Sequence, residues 1–138
     1  MKNKTFGYTE DWKTSPMAYW VHIEADDKPR YISEKFDPPA PVRHGSLGYP
    51  YLTIELDGFR FSFTSEAQFE EFKTIMARKL LPTTMELSSK RPGSKGPNSH
   101  WLSRLPAKTK PWKYREKLMK YCNQIDFKEN ETTHKSKA

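Results

Sequence analysis

Cysteine is nearly absent from this 138-residue chain, with Cys122 the single example. That excludes an intrachain disulfide and any site built on two thiolates, and it fits a reducing compartment. Long apolar runs are missing too, so neither a membrane-spanning helix nor the apolar stretch of a secretory leader is expected. No membrane partner is implied, and the protein reads as cytoplasmic. Metal-ligand spacing is also lacking. His22, His44, His100 and His134 lie far apart, and none is spaced to share a metal with another or with Cys122. No metal and no cofactor are therefore expected. The close carboxylate pairs outside helical patterns, Asp26 with Asp27 and Glu55 with Asp57, both sit in turn chemistry. Nothing announces a nucleophile with its base, and no Gly-Lys-Ser/Thr follows a strand pattern. No catalytic residue is assigned, and a non-enzymatic role is the expectation.

What the chain has in excess is positive charge, unevenly placed. Its 24 Lys and Arg stand against 17 Asp and Glu. Residues 1–72 carry 8 basic against 12 acidic side chains, whereas residues 73–138 carry 16 against 5. From Ser88 to Lys120 there are ten basic residues and one acid, Glu116. Such a concentration attracts polyanions: nucleic acid or an acidic protein surface.

The clearest local signal is Asp57-Gly58 between two alternating apolar runs, which predicts a hairpin over 51–64 with a type I′ turn. The implied register sets Leu56 opposite Phe59, Ile54 opposite Phe61 and Leu52 opposite Phe63 on one apolar face. Glu55 then faces Arg60, Thr53 faces Ser62 and Tyr51 faces Thr64 on the other. Ser65 followed by Gln68 is a capping box, opening a helix over 65–81 that Pro82 closes. Its Phe69, Phe72, Ile75, Met76 and Leu80 form one stripe, expected to cover the hairpin's apolar face. Alternation over Tyr19–Glu24 predicts another strand, with Arg30–Phe36 pairing back on it and Ile32 and Phe36 facing inward. Prolines and glycines between Asp37 and Gly48 predict a long stiff loop.

The domain organisation that follows is an N-terminal arm (1–17), one α+β domain (18–125) and a disordered polar tail (126–138). Its antiparallel sheet has three to four strands, and a basic helical section spans 99–124. The stretch 88–98 has no apolar residue and reads as a mobile basic loop. Trp101, Leu102 and Leu105 follow in a short turn. The last helix starts near Pro111 and runs to about Gln124. At 100° per residue, Tyr114, Leu118, Tyr121, Cys122 and Ile125 share an apolar arc, while Lys110, Lys113, Lys117 and Lys120 share another.

Basic side chains interleaved with aromatic rings suit unpaired nucleic acid, because Lys and Arg neutralise phosphates while rings stack on bases. The candidate binding residues are Lys90, Arg91, Lys95, Arg104, Lys108, Lys110, Trp112, Lys113, Lys117 and Lys120. Trp101 and Trp112 suit core packing as well as stacking. The expected role is a nucleic-acid-binding accessory protein favouring RNA or single-stranded DNA. The alternative is an interaction module, inhibitor or adaptor, that docks an acidic or nucleic-acid-binding protein.

Overall fold

The computed structural model describes residues 2–88 and 100–128. Asp57 and Gly58 have φ of 53° and 88°, as a type I′ turn needs. They join β4 (Tyr49–Leu56) to β5 (Phe59–Phe63) with five of the expected partners in place, from Leu56 opposite Phe59 to Leu52 opposite Phe63. The ladder stops there, so Tyr51 and Thr64 do not pair. Leu52, Ile54, Leu56, Phe61 and Phe63 are buried on one face, while Tyr51, Thr53 and Glu55 on the other are half-buried.

The third strand comes from the segment read as an arm. Residues Lys2–Thr9 form β1, antiparallel to β4 from Lys2 opposite Leu56 to Thr9 opposite Tyr49, giving the sheet order β1-β4-β5. Lys2, Asn3, Lys4 and Thr5 are exposed on this edge strand. Strand identity here rests on a partner some fifty residues away, so no alternation of buried and exposed types marks it. Gly48, at φ 108°, lies where a Cβ would come 2.5 Å from the Thr9 carbonyl oxygen, so the strand end and the loop before β4 meet backbone to backbone.

Between β1 and β4 the structure corrects the reading of 19–24 as a strand. A single helical turn, α1 (Ala18–Val21), is closed by Val21 and His22 N–H bonds to the Met17 and Ala18 carbonyls, and only β2 (Ile23–Glu24) is extended. Met17, Ala18, Trp20, Val21 and His22 are all buried, so alternation of residue type does not define an exposed face. The return strand is likewise reduced to β3 (Phe36–Asp37), which pairs with β2 as a second, two-stranded sheet. Asp26 explains why. Its carboxylate accepts the Ser33 hydroxyl at 2.6 Å and the Glu34 and Lys35 N–H groups at 3.1 and 3.3 Å, holding 29–35 as a turn. Phe36 faces inward as expected, but Ile32 is 53% exposed.

The helix after the hairpin, α2, covers Glu66–Met76. At its start Gln68 N–H donates to Ser65 Oγ, while Gln68 Oε1 accepts from Thr64 N–H, one residue earlier than a standard capping box. Thr64 Oγ1 in turn donates to the Trp12 carbonyl. The helix ends five residues before Leu81. Leu80 is 85% exposed and does not belong to the stripe, whereas Phe69, Phe72, Ile75 and Met76 are buried. The short α3 (Thr84–Ser88) and the terminal α4 (Trp112–Cys122) follow, with a 3-10 turn at Ala107–Thr109 between them.

The architecture is thus α+β, and its described residues divide into two compact units: 2–69 with 126–128, and 70–88 with 100–125. In the first, Phe63 and Phe69 rings stand 5.2 Å apart, and Phe127 packs at 5.7 Å from Phe6 and 6.4 Å from Phe69. Phe127 lies in the stretch read as a polar tail, yet it is buried. Residues 129–138 of that tail fall outside the described residues, as does 89–98 of the basic loop. A second cluster in this unit joins Trp12, Ala18 and Phe36. In the other unit, Phe72 meets Trp101 at 5.7 Å, and Leu118, Met119 and Cys122 are buried. No helix among the described residues is long and apolar enough to cross a membrane.

Candidate functional site

Pro111, extended at φ −60° and ψ 145°, precedes α4, whose first turn holds no acid. Along this helix Arg115, Leu118, Met119 and Cys122 are buried, as is Ile125 just beyond it. Relative to the expected apolar arc, the buried arc is rotated by about 50°, away from Tyr114 and Tyr121 and towards Arg115 and Met119. Tyr114 and Tyr121 are half-buried flanks. Lys113, Lys117 and Lys120, at positions i, i+4 and i+7, are exposed on the opposite side with Glu116.

The remaining candidates are placed differently. Arg104 and Lys108 are exposed on the segment before α4, and Lys110 is half-buried. Lys90, Arg91 and Lys95 lie outside the described residues. Trp112 is half-buried, with the Arg115 guanidinium 5.1 Å from its ring centroid and covering one face. Trp101, 3% exposed and packed between Phe72 and His100, is a core residue.

Arg115 is the residue whose role the sequence hides. It belongs to the basic run by composition but is 3% exposed. Nε donates to the Lys110 carbonyl at 2.7 Å, Nη1 to the Met76 carbonyl at 3.0 Å and to the Arg78 carbonyl, and Nη2 to the Lys79 carbonyl at 3.0 Å. Burial lowers its pKa from the ordinary value, but a guanidinium stays protonated at neutral pH. One head group thus satisfies carbonyls that α2 leaves open at its C-terminus, where positive charge is favoured. The bond to Met76 caps the last residue of α2, and those to Arg78 and Lys79 hold the chain just beyond it. The rigid fork spreads its donors and reaches acceptors on both sides at once, a span that a compact ammonium lacks.

Two other constellations bear on catalysis. His22 and Ser65 are both buried, with His22 Nε2 2.7 Å from Ser65 Oγ and Nδ1 2.9 Å from the Pro38 carbonyl. A carbonyl only accepts, so Nδ1 carries the proton and Ser65 donates to Nε2. This is the local geometry of a nucleophile and base, but both groups are enclosed, and Ser65 Oγ also caps α2. Burial lowers the His22 pKa, favouring the neutral ring. The pair ties α1, the proline loop and α2 together. Cys122 is fully buried, and burial pushes its thiol up to about 12 against the opposing pull of the Lys73 charge, so the thiol is not activated.

A cleft of about 790 Å³ in the first unit is lined by Trp12, Lys13, Lys35, Phe36, Pro39 and Tyr49, among others, and contains none of the candidate binding residues. Lys13 Nζ stands 5.7 Å from both the Trp12 and Phe36 centroids and donates to the Arg30 carbonyl. Arg30 lies 5.2–5.7 Å from the rings of Trp12, Tyr19 and Phe36 and pairs with Glu24 at 3.0 Å. Among the described residues no three His, Cys, Asp or Glu side chains gather in a metal-binding cluster. Compared with known proteins, the chain matches no protein-family model, no curated protein and no solved structure.

Proposed function

We propose that the protein is a non-enzymatic nucleic-acid-binding accessory protein that engages phosphates through α4. The observation that carries this reading is the exposed row Lys113, Lys117 and Lys120, set opposite the helix's buried face. Charge distribution supports it: residues 70–125 contain 13 Lys and Arg against 4 Asp and Glu. Phosphate contacts supply sequence-independent affinity, so the lysines position the chain on its partner without reading sequence. The half-buried Trp112 adds a ring at the start of the row, which favours RNA or single-stranded DNA over duplex.

Fluorescence anisotropy with labelled single-stranded DNA, RNA and duplex DNA across salt concentrations tests the proposal. The triple variant Lys113→Gln, Lys117→Gln, Lys120→Gln keeps helix propensity. It should weaken binding to every sequence and flatten the dependence of log K on log salt by about 2, at about 0.7 per contact on a single strand. A wild-type protein that binds none of the three at low salt overturns the reading and turns the search to an acidic protein partner.

A further inference from the structure

The residues 77–80 that follow α2 are all exposed, and Arg78 and Lys79, which would complement the dipole of a helix running to Leu81, instead lie beyond the end of α2. Their backbone is fixed. Arg115 holds the Arg78 and Lys79 carbonyls with one end of its guanidinium and the Lys110 carbonyl, just before α4, with its Nε. Two backbone segments, one after α2 and one before α4, therefore converge on one planar group. Trp112 lies beside this junction, with the Arg115 guanidinium 5.1 Å from its ring centroid. One buried guanidinium thus draws together, just before α4, the backbones that carry three further cationic residues. Holding them there has an electrostatic cost, because like charges repel and Arg115 adds a fourth.

We infer that Arg78, Lys79 and Lys110 form a second set of phosphate contacts, so that a bound single strand runs from the end of α2 across Trp112 to the lysine row of α4. Arg115 acts as a positioning residue and touches no phosphate. The inference rests on the nucleic-acid reading above and extends it. Nucleic acid is favoured over an acidic protein because the cations flank an aromatic ring, and phosphates alternating with bases match that arrangement.

The test compares wild type with the double variant Arg78→Gln, Lys79→Gln and with Arg60→Gln, which removes an exposed cation from β5. The probes are a labelled oligo-dT and an oligo-U strand titrated at several salt concentrations, with melting curves to verify folding. The double variant should melt like wild type, since both side chains are exposed and the Arg115 bonds are to backbone. Its dependence of log K on log salt should be shallower by about 1.4, two contacts at about 0.7 each. Arg60→Gln should leave the slope unchanged. If wild type binds and the triple lysine variant weakens binding while the double variant keeps the full slope, the second set is refuted and the α4 reading stands. Binding to poly-glutamate but to neither oligonucleotide would overturn both. An equal loss of slope in Arg60→Gln would show that net charge alone is responsible, and it too would refute the placement.

Discussion

Replacing Arg115 by methionine removes the head group while keeping a flexible apolar stem in a nearly closed site. Four carbonyl contacts are lost, from Lys110, Met76, Arg78 and Lys79. A hydrogen bond with a charged donor contributes roughly 1.5–3 kcal/mol, so simple addition would exceed 6 kcal/mol. Addition overstates the effect here. The four bonds share one side chain, the Arg78 and Lys79 backbone belongs to an exposed segment that water can reach, and methionine fills part of the vacated volume. We expect a net loss of about 3 kcal/mol, which at this length lowers Tm by roughly 10 °C. Arg115→Lys keeps the charge, but one ammonium cannot reach carbonyls on both sides, so it should recover less than half of the loss. Differential scanning calorimetry of the two variants beside Lys113→Met, an exposed control on the opposite side of α4, measures the difference. Melting of Arg115→Met within about 2 °C of wild type would refute the idea that this residue closes α2.

Gly58→Val should destabilise the hairpin strongly because its φ of 88° is strained for a β-branched residue, whereas Asp57→Asn at φ 53° should be nearly silent; urea titrations of both decide it. His22 has a folded pKa below its ordinary 6.5, so the unfolded chain takes up the proton first as pH falls. Its contribution to stability should be complete above about pH 7 and decline as pH drops below 6.5 towards the folded pKa, and His22→Gln should remove that decline in Tm measured against pH. Asp26 acts in a lower window. Hydrogen bonding from Ser33 holds its pKa at about 2, so its contribution is lost between about pH 4 and 2. Cys122 should resist a thiol reagent such as dithionitrobenzoate in the folded protein and react fully in denaturant; rapid labelling of the native state would contradict its burial.

The features legible in the sequence are those whose cause is local. Asp57-Gly58 specifies its turn through backbone φ, and the period of two then pairs Leu56, Ile54 and Leu52 with Phe59, Phe61 and Phe63. Ser65 and Gln68 mark the start of α2, and helical spacing places Lys113, Lys117 and Lys120 on one exposed side of α4. Features settled by distant partners were not legible. Lys2–Thr9 is a strand because β4 offers it a ladder, and nothing in Lys-Asn-Lys-Thr encodes that edge position. Phe127 is buried because Phe6 and Phe69 surround it, although its neighbours in the chain are polar. Arg115 looks like one more member of a basic run, and only the convergence of the Met76–Lys79 backbone with Lys110 makes it a structural anchor instead of a surface charge. Composition and periodicity fix what each segment can do alone. Which of those possibilities a segment adopts depends on backbone groups elsewhere that must find hydrogen-bond partners once water is excluded.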